Sequence, residues 1–299
     1  ALLGGATDGV TELAVTEFRA PRTAAAVIAG ASLGGAGAIM QTVARNPLAS
    51  PDILGVTSGA ALGAVAVLVV AGGGAAGLSG LTATVGLPLA AFATGTASGA
   101  LVFALARRGG VSGARVILVG LGVSGLATSI TTWMLTLGDV TSAAQALTWM
   151  SGSLNGKDWM LVQPVAIAAA VLLAAASLCS RSLAIASLGD DAALALGLRL
   201  NRARSAILAI AVLLASLATV VAGPLVFVAL ASPQIARLLV RAPTPPLVPS
   251  TLVGALFVVV SDTISAHALP TPLPVGVGTT ILGAPYLIHL LLTSRRSLA

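Results

Sequence analysis

The sequence predicts an all-α polytopic membrane protein, and three observations carry that prediction. Of the 299 residues, 57% are hydrophobic and only 8% are charged, where a soluble domain carries about a quarter charged residues. The mean hydropathy is +1.04. The apolar residues are gathered into uncharged runs of about 18 residues or more, the length that crosses the hydrocarbon core of a bilayer.

Taken in order, the runs give nine spans, at about 22–41, 55–73, 83–106, 114–137, 160–179, 204–222, 224–241, 246–264 and 275–293. The first is closed by Arg45 and the prolines at 47 and 51; Arg107, Arg108 and Arg115 separate the third from the fourth. Asp139 and Asp158 bracket the break before the fifth, and Arg181, Arg199, Arg202 and Arg204 fill the long break before the sixth. Gly223-Pro224 and Pro233 are expected to break the sixth and seventh spans, and Pro285 with Gly283 to kink the ninth. Broken helices at membrane depth face protein or a watery cavity, which favours a transport path over a passive anchor. Gly30 and Gly34, Gly59 and Gly63, and Gly95 and Gly99 are spaced four apart, a pattern that lets helices of one chain pack closely.

The breaks alternate in charge. Arg45, the 107–115 arginines, the 181–204 arginines, Arg237 and Arg241, and finally Arg295 and Arg296 fall in every other break, which is the cytoplasmic set by the positive-inside rule. The opposite breaks hold Arg19, Arg22 and Lys157 with Asp8, Glu12, Glu17, Asp139, Asp158 and Asp262. Residue 1 is therefore expected outside and the C-terminus in the cytoplasm, with one further N-terminal span upstream, ten in all. The whole of 1–299 reads as a single transmembrane domain.

Several function classes drop out. Cys179, His267 and His289 make no metal-ligand cluster, and no Gly-rich phosphate loop ending in Lys-Ser or Lys-Thr exists; Gly152 to Asp158 (GSLNGKD) has neither the spacing nor the hydroxyl. The chain is thus expected to be no enzyme, to bind no cofactor and no metal, and to draw any ATP and Mg on a partner subunit. The net charge of +6 is spread as single and paired arginines between spans, with 3% aromatic residues, so no nucleic acid partner is expected.

Three stretches carry local signals. In "RNPLASPDILGVTSGA" (45–60), Pro47 and Pro51 end a helix while Asn46, Asp52 and Ser58 are placed to satisfy freed backbone groups at the inner face. In "SLGDDAALALGLRL" (187–200), Asp190 and Asp191 fall in the first turn of a short helix, Gly197 sits at its C-cap, and Ala192, Ala193 and Leu196 form a small apolar face. Arg19 and Arg22 run against the charge bias of their side, and either lipid phosphates or a protein carboxylate would suit them.

The run from Phe18 to Ala60, "FRAPRTAAAVIAGASLGGAGAIMQTVARNPLASPDILGVTSGA", resembles the signature of the FecCD-type permeases, membrane subunits of type II ABC importers for ferric siderophores, haem and cobalamin. "SLGDDAALALGLRL", "GPLVFVALASPQIARLL" and "LPVGVGTTILGAPYLIHLLL" resemble that family's coupling segment and last helices. The resemblance implies ten helices per subunit, and partnership with ABC ATPase subunits, a second permease subunit (a homo- or heterodimer) and a substrate-binding protein, in the cytoplasmic membrane of a bacterium. It places a cytoplasmic gate at Asn46 and Leu48, with Ser112, Gly113 and Ala114 at the second gate turn. It places ATPase coupling at Asp190, Asp191, Ala193, Leu196 and Gly197, and binding-protein docking at Arg19, Arg22 and His267. The chain departs from the pattern at Gln234, where the family usually has His, and at Ser265 and His267, where it often has another basic residue. A secondary carrier without ATP is the competing reading; it would want ionisable residues at mid-membrane.

Overall fold

The computed structural model describes residues 9–71, 85–106, 113–197, 200–268 and 270–295, and every regular element among them is helical. α1 (Gly9–Leu13) passes through a π-helical stretch (Ala14–Arg19) into α2 (Ala20–Ala44), so the first helix begins well before 22. Pro21 sits in the first turn of α2. Its ring excludes the carbonyl four residues back, which fits the widened π geometry of the preceding turn.

A 3-10 turn (Pro51–Leu54) leads into α3 (Val56–Ala71), then α4 (Leu87–Ala106) and α5 (Gly113–Leu137). α6 (Val140–Met150) occupies what the hydropathy pattern leaves as a break, started by Asp139, whose carboxylate accepts the Ser142 N–H at 2.8 Å. α7 (Trp159–Leu178) is followed by two short helices, α8 (Ser180–Ser187) and α9 (Asp190–Ala195). α10 (Leu200–Ala222), α11 (Val228–Val240), α12 (Leu247–His267) and α13 (Val275–Arg295) complete the chain.

The architecture is all-α as predicted, but its helices are unequal. Among the described residues, 6 helical segments are long and apolar enough to cross a bilayer, and Val56–Val70, Val228–Val240 and Val275–Ile288 are apolar but shorter. The expected break at 223–224 is present: residues 223–227 leave the helix, with Gly223 at φ +71° and Phe227 at φ +67°. Pro233 corrects the expectation, because α11 runs straight through it. The Pro233 ring lies beside Gly37 of α2, where there is no side chain to obstruct it. α13 likewise continues through Pro285.

α2 is the centre of the molecule. Every residue from Ser32 to Thr42 is buried, on all sides of the helix, and α12, α10, α11 and α7 pack around it. Small residues make this possible: a Cβ on Gly30 would strike the Gly254 carbonyl of α12, and one on Gly34 the Ser250 carbonyl. The other two glycine pairs also serve the fold. Gly59 and Gly63 of α3 lie against α4, while Gly95 meets Val56 of α3 and Gly99 meets Val212 of α10. α5 is the opposite case, with Leu118, Leu121, Leu126 and Trp133 all more than 60% exposed.

Because the obstruction at Gly34 is backbone, no rotamer change relieves it. Gly34→Val is expected to cost about 3 kcal/mol or more, seen as a lower unfolding midpoint of the purified chain in detergent. Gly122→Ala on α5, where a new Cβ meets nothing within 4 Å, is expected to be neutral or stabilising by up to about 1 kcal/mol.

Candidate functional site: the two charged ends of the central helix

From Arg22 to Arg45, α2 rises about 34 Å at 1.5 Å per residue, so these two arginines mark opposite ends of the bundle. Each is tied to acidic or polar groups from remote sequence, and each end carries residues singled out from the sequence.

At the Arg45 end, the helix stops with Arg45 in the left-handed conformation (φ 48°), and the Asn46 N–H returns to the Gln41 carbonyl at 3.1 Å. Arg45 donates to the Ala186 carbonyl of α8 at 2.9 Å and to the Asp190 carboxylate of α9. Arg204 of α10 donates to the same carboxylate at 2.7 and 3.1 Å. The Arg204 hydrogen bonds, with Arg45 adding to them, hold Asp190 below the usual carboxylate range.

The polar turn that follows is internally bonded. The Asn46 carboxamide oxygen accepts the Leu48 N–H at 2.9 Å, Ser50 caps the 3-10 turn by accepting from the Asp52 N–H, and Ser58 donates to the Gly55 carbonyl at 3.1 Å. Asp52 meets side chains instead of backbone, accepting the hydroxyls of Thr57 and Ser50. Burial pushes its carboxyl group up, and those two hydroxyls oppose the shift. A cavity of about 450 Å³ opens beside the turn, with Asn46, Arg45, Asp190 and Arg204 on one side and Val116 and Ile117 of α5 on another. Asn46 and the start of α5 thus share one space. Leu48 is half-buried outside that lining. Gly113 and Ala114 open α5, and Ser112 lies outside the described residues.

α9 differs from the sequence reading in which way it faces. Ala193 is fully buried against Ala186 of α8 and belongs to no outer face. The apolar residues that α9 and its cap present outward are Leu194 (58% exposed) and Leu196 (61%). Gly197, at φ +77°, follows the C-cap Leu196 as the left-handed residue that ends such helices. Asp191 is exposed. Asp190 is not spent on the helix N-terminus: it points back to two arginines of its own chain.

At the other end, Arg22 grips Asp262 of α12 through both Nε and Nη2, each at 2.8 Å, and donates from Nη1 to the Asn155 carboxamide oxygen at 2.7 Å. The fork is a bidentate pair, partly shielded from solvent. Trp159 of α7 donates its indole N–H to the Thr16 carbonyl at 2.9 Å, closing the same end. Arg19 is exposed, and His267, also exposed, faces the Thr263 carbonyl of its own helix at 3.1 Å. Of the three residues expected to dock a partner, Arg19 and His267 face solvent, whereas Arg22 is engaged within the fold. Gln234 is 1% exposed and donates to Gln41 of α2, which donates to the Leu230 carbonyl at 3.0 Å. The departure at Gln234 thus places its amide N–H in an internal polar contact, while its buried carboxamide oxygen has no partner among the described residues.

Sequence reasoning counted Lys157 only as a topology signal, yet the structure sets it among polar residues at the Arg22 end. The Asp158 carboxylate caps α7, accepting the Leu161 N–H at 3.0 Å, and leaves Lys157 without an ion pair among the described residues. Burial depresses its ammonium to about 8, with the neighbouring Asp158 charge opposing. An unpaired lysine beside a capping aspartate is the sequence signal that points to it.

A helical bundle threaded by one glycine-rich central helix, with its polar breaks and opposed charged ends, is the architecture of a membrane transport subunit. The chain belongs to the FecCD transport family, whose model matches residues 1–293. It is 38% identical to the ferric enterobactin transport system permease protein FepG of Escherichia coli over 99% of this chain and 87% of that one. It is 36% identical to the iron(3+)-hydroxamate import system permease protein FhuG of Bacillus subtilis, over 94% of this chain and 84% of that one. Its fold matches a solved metal-chelate-type ABC transporter in an inward-facing conformation, with a TM-score of 0.86 at 25% identity over 97% of this chain and 90% of that one.

Two outcomes follow. Asp262→Asn leaves Arg22 half-buried beside a neutral amide and is expected to cost about 2 kcal/mol, measured by thermal unfolding in detergent, with Arg22→Gln in the Asp262→Asn background adding little. Lys157→Met is expected to stabilise. An unfolded lysine keeps its ordinary value of 10.5, so below pH 8 both states are protonated and the burial cost of up to about 3 kcal/mol is fully present. The gain in unfolding midpoint is therefore largest below pH 8 and fades as pH rises toward 10.5.

Proposed function

We propose that this chain is the membrane-spanning subunit of an ATP-driven importer that carries a ferric siderophore or related iron chelate into the cytoplasm. The observation that carries this reading is the family match across residues 1–293, on a chain whose relatives named above are permeases for ferric enterobactin and iron(3+)-hydroxamate. A substrate-binding protein delivers the chelate at the Arg22 end, where Arg19 and His267 are free to meet its acidic residues. ATPase subunits, which hold the ATP and Mg, act at the Arg45 end, and the C-terminus lies on that cytoplasmic side. The exposed apolar face of α5 supports a second permease subunit, identical or related. The membrane is the bacterial cytoplasmic membrane.

Within this reading α9 is the coupling helix, and Leu194 and Leu196 are its contact residues. The turn at Asn46 and Leu48, with the start of α5, narrows the inner end of the path. The bidentate hold of Arg45 and Arg204 on Asp190 means that α9 cannot shift without pulling on α2 and α10.

The test is gentle purification of the tagged chain from its native membrane, with subunit stoichiometry read by mass spectrometry. An ATPase subunit is expected to co-purify with the wild type. Leu194→Asp with Leu196→Asp is expected to lose at least tenfold of that subunit, since burying an unpaired carboxylate at an interface is costly, while thermal unfolding of the chain itself is unchanged. Recovery of the wild-type chain alone, intact and active in uptake, overturns the reading in favour of a carrier that needs no ATPase.

A further inference from the structure

At the Arg22 end, α6, the loop after it and Gly223 enclose a cavity of about 490 Å³, within the size range of ligand pockets. Its polar lining is dominated by donors. Lys157 lines it with no ion pair among the described residues. Trp149 lines it too, and its buried indole N–H has no acceptor among the described residues. The Asn155 oxygen is taken by Arg22, which leaves its amide N–H groups; Ser153 accepts from the Asn155 N–H and keeps its hydroxyl proton to give. Gln145 adds a further amide.

Three aspartates near this end are committed elsewhere, and Glu12 and Glu17 lie exposed on the helix before Arg19. Asp262 is held by Arg22, Asp139 caps α6 and Asp158 caps α7, and no carboxylate is among the cavity's lining residues. A partly buried ammonium without an ion pair costs stability. Lys157 lines this space, and an anion rich in oxygen acceptors would supply the partner it lacks. The break after α10 gives the cavity a firm wall. A Cβ on Gly223 would meet the Trp149 carbonyl, so the chain passes here against the end of α6.

We infer that this cavity is an entry site for the anionic form of the transported chelate, with Lys157 binding its oxygens and the Asn155 and Gln145 amides beside it. That the anion is an iron chelate rests on the importer reading above; the sign of its charge rests on the lining. Lys157 discriminates by charge, favouring a trianionic ferric tris-catecholate over a neutral ferric trihydroxamate. Trp149 supplies an apolar ring for either.

The test uses the whole importer in lipid nanodiscs, without ATP or binding protein, and measures equilibrium retention of those two complexes labelled with radioiron. ATP-driven uptake into proteoliposomes is measured separately. Lys157→Gln is expected to weaken retention of the trianionic complex about tenfold, the worth of one charge-assisted hydrogen bond, and to change the neutral one less than about twofold. Lys157→Arg is expected to keep wild-type retention. Equal weakening of both complexes, wild-type retention by Lys157→Gln, or no retention by the wild type overturns the inference. So does a Lys157→Gln importer that holds the chelate normally but loses affinity for the binding protein, which would assign the cavity to a protein loop. Charge-dependent retention with no ATP-driven uptake keeps the site and sinks the importer reading; uptake with charge-blind retention does the reverse.

Discussion

Backbone-to-backbone contact between α2 and α12 is the constraint on which the rest of the structure depends. In lipid, apolar side chains gain little from leaving hydrocarbon, so helices associate through close packing. Gly30, Gly34 and Gly254 bring two main chains within reach of one another, with carbonyls lying where side chains would otherwise stand. Once α2 is gripped this way its remaining faces are open to α10, α11 and α7. The stretch from Ser32 to Thr42 is then buried all round, as expected of a helix at the core of a bundle rather than at its lipid face.

A central helix buried along its length communicates only through its ends, and both ends of α2 are held by arginine. Arg22 holds α12 and the loop before α7; Arg45 holds α8 and α9, beside Arg204 of α10. Guanidinium groups suit this work, because one planar fork engages several acceptors in fixed geometry. The consequence differs between the ends. Arg22 and Asp262 neutralise each other in a partly shielded pair, whereas the one Asp190 carboxylate is shared between two arginines. The first arrangement fixes two helices against each other. The second connects a short surface helix to the polar turn that follows α2.

How much of this was legible in the sequence depends on which physical force set each feature. Apolar runs between charged breaks located the long helices, because the bilayer dictates their length and composition directly. Proline was a poorer guide. Pro233 was expected to break a helix and does not, since Gly37 makes room for its ring and nothing local to α11 reveals that. α6 was missed because its apolar residues are too few for a hydropathy window, although Asp139 announces its start. The charge bias sorted Arg22 and Arg45 to opposite ends, yet the side chain that each would meet lies more than a hundred positions away. Ala193 was assigned to the wrong face of α9 for the same reason: a six-residue helix turns whichever side its neighbours leave open, and α8 took Ala193.

Lys157 shows where folding and function pull apart. Some polar groups within the bundle find partners, as in the contact from Gln234 to Gln41 and on to the Leu230 carbonyl, while others such as the Ser32 and Ser232 hydroxyls do not among the described residues. Lys157 finds no ion pair among the described residues, and burial depresses its pKa. Asp158 is the adjacent carboxylate and the cheapest remedy, yet it is turned to the N-terminus of α7 instead. A neighbouring Trp149 with an idle indole N–H repeats the omission on the facing helix. A lysine without an ion pair, on a cavity lined by no carboxylate, belongs with residues whose partner arrives from outside the chain.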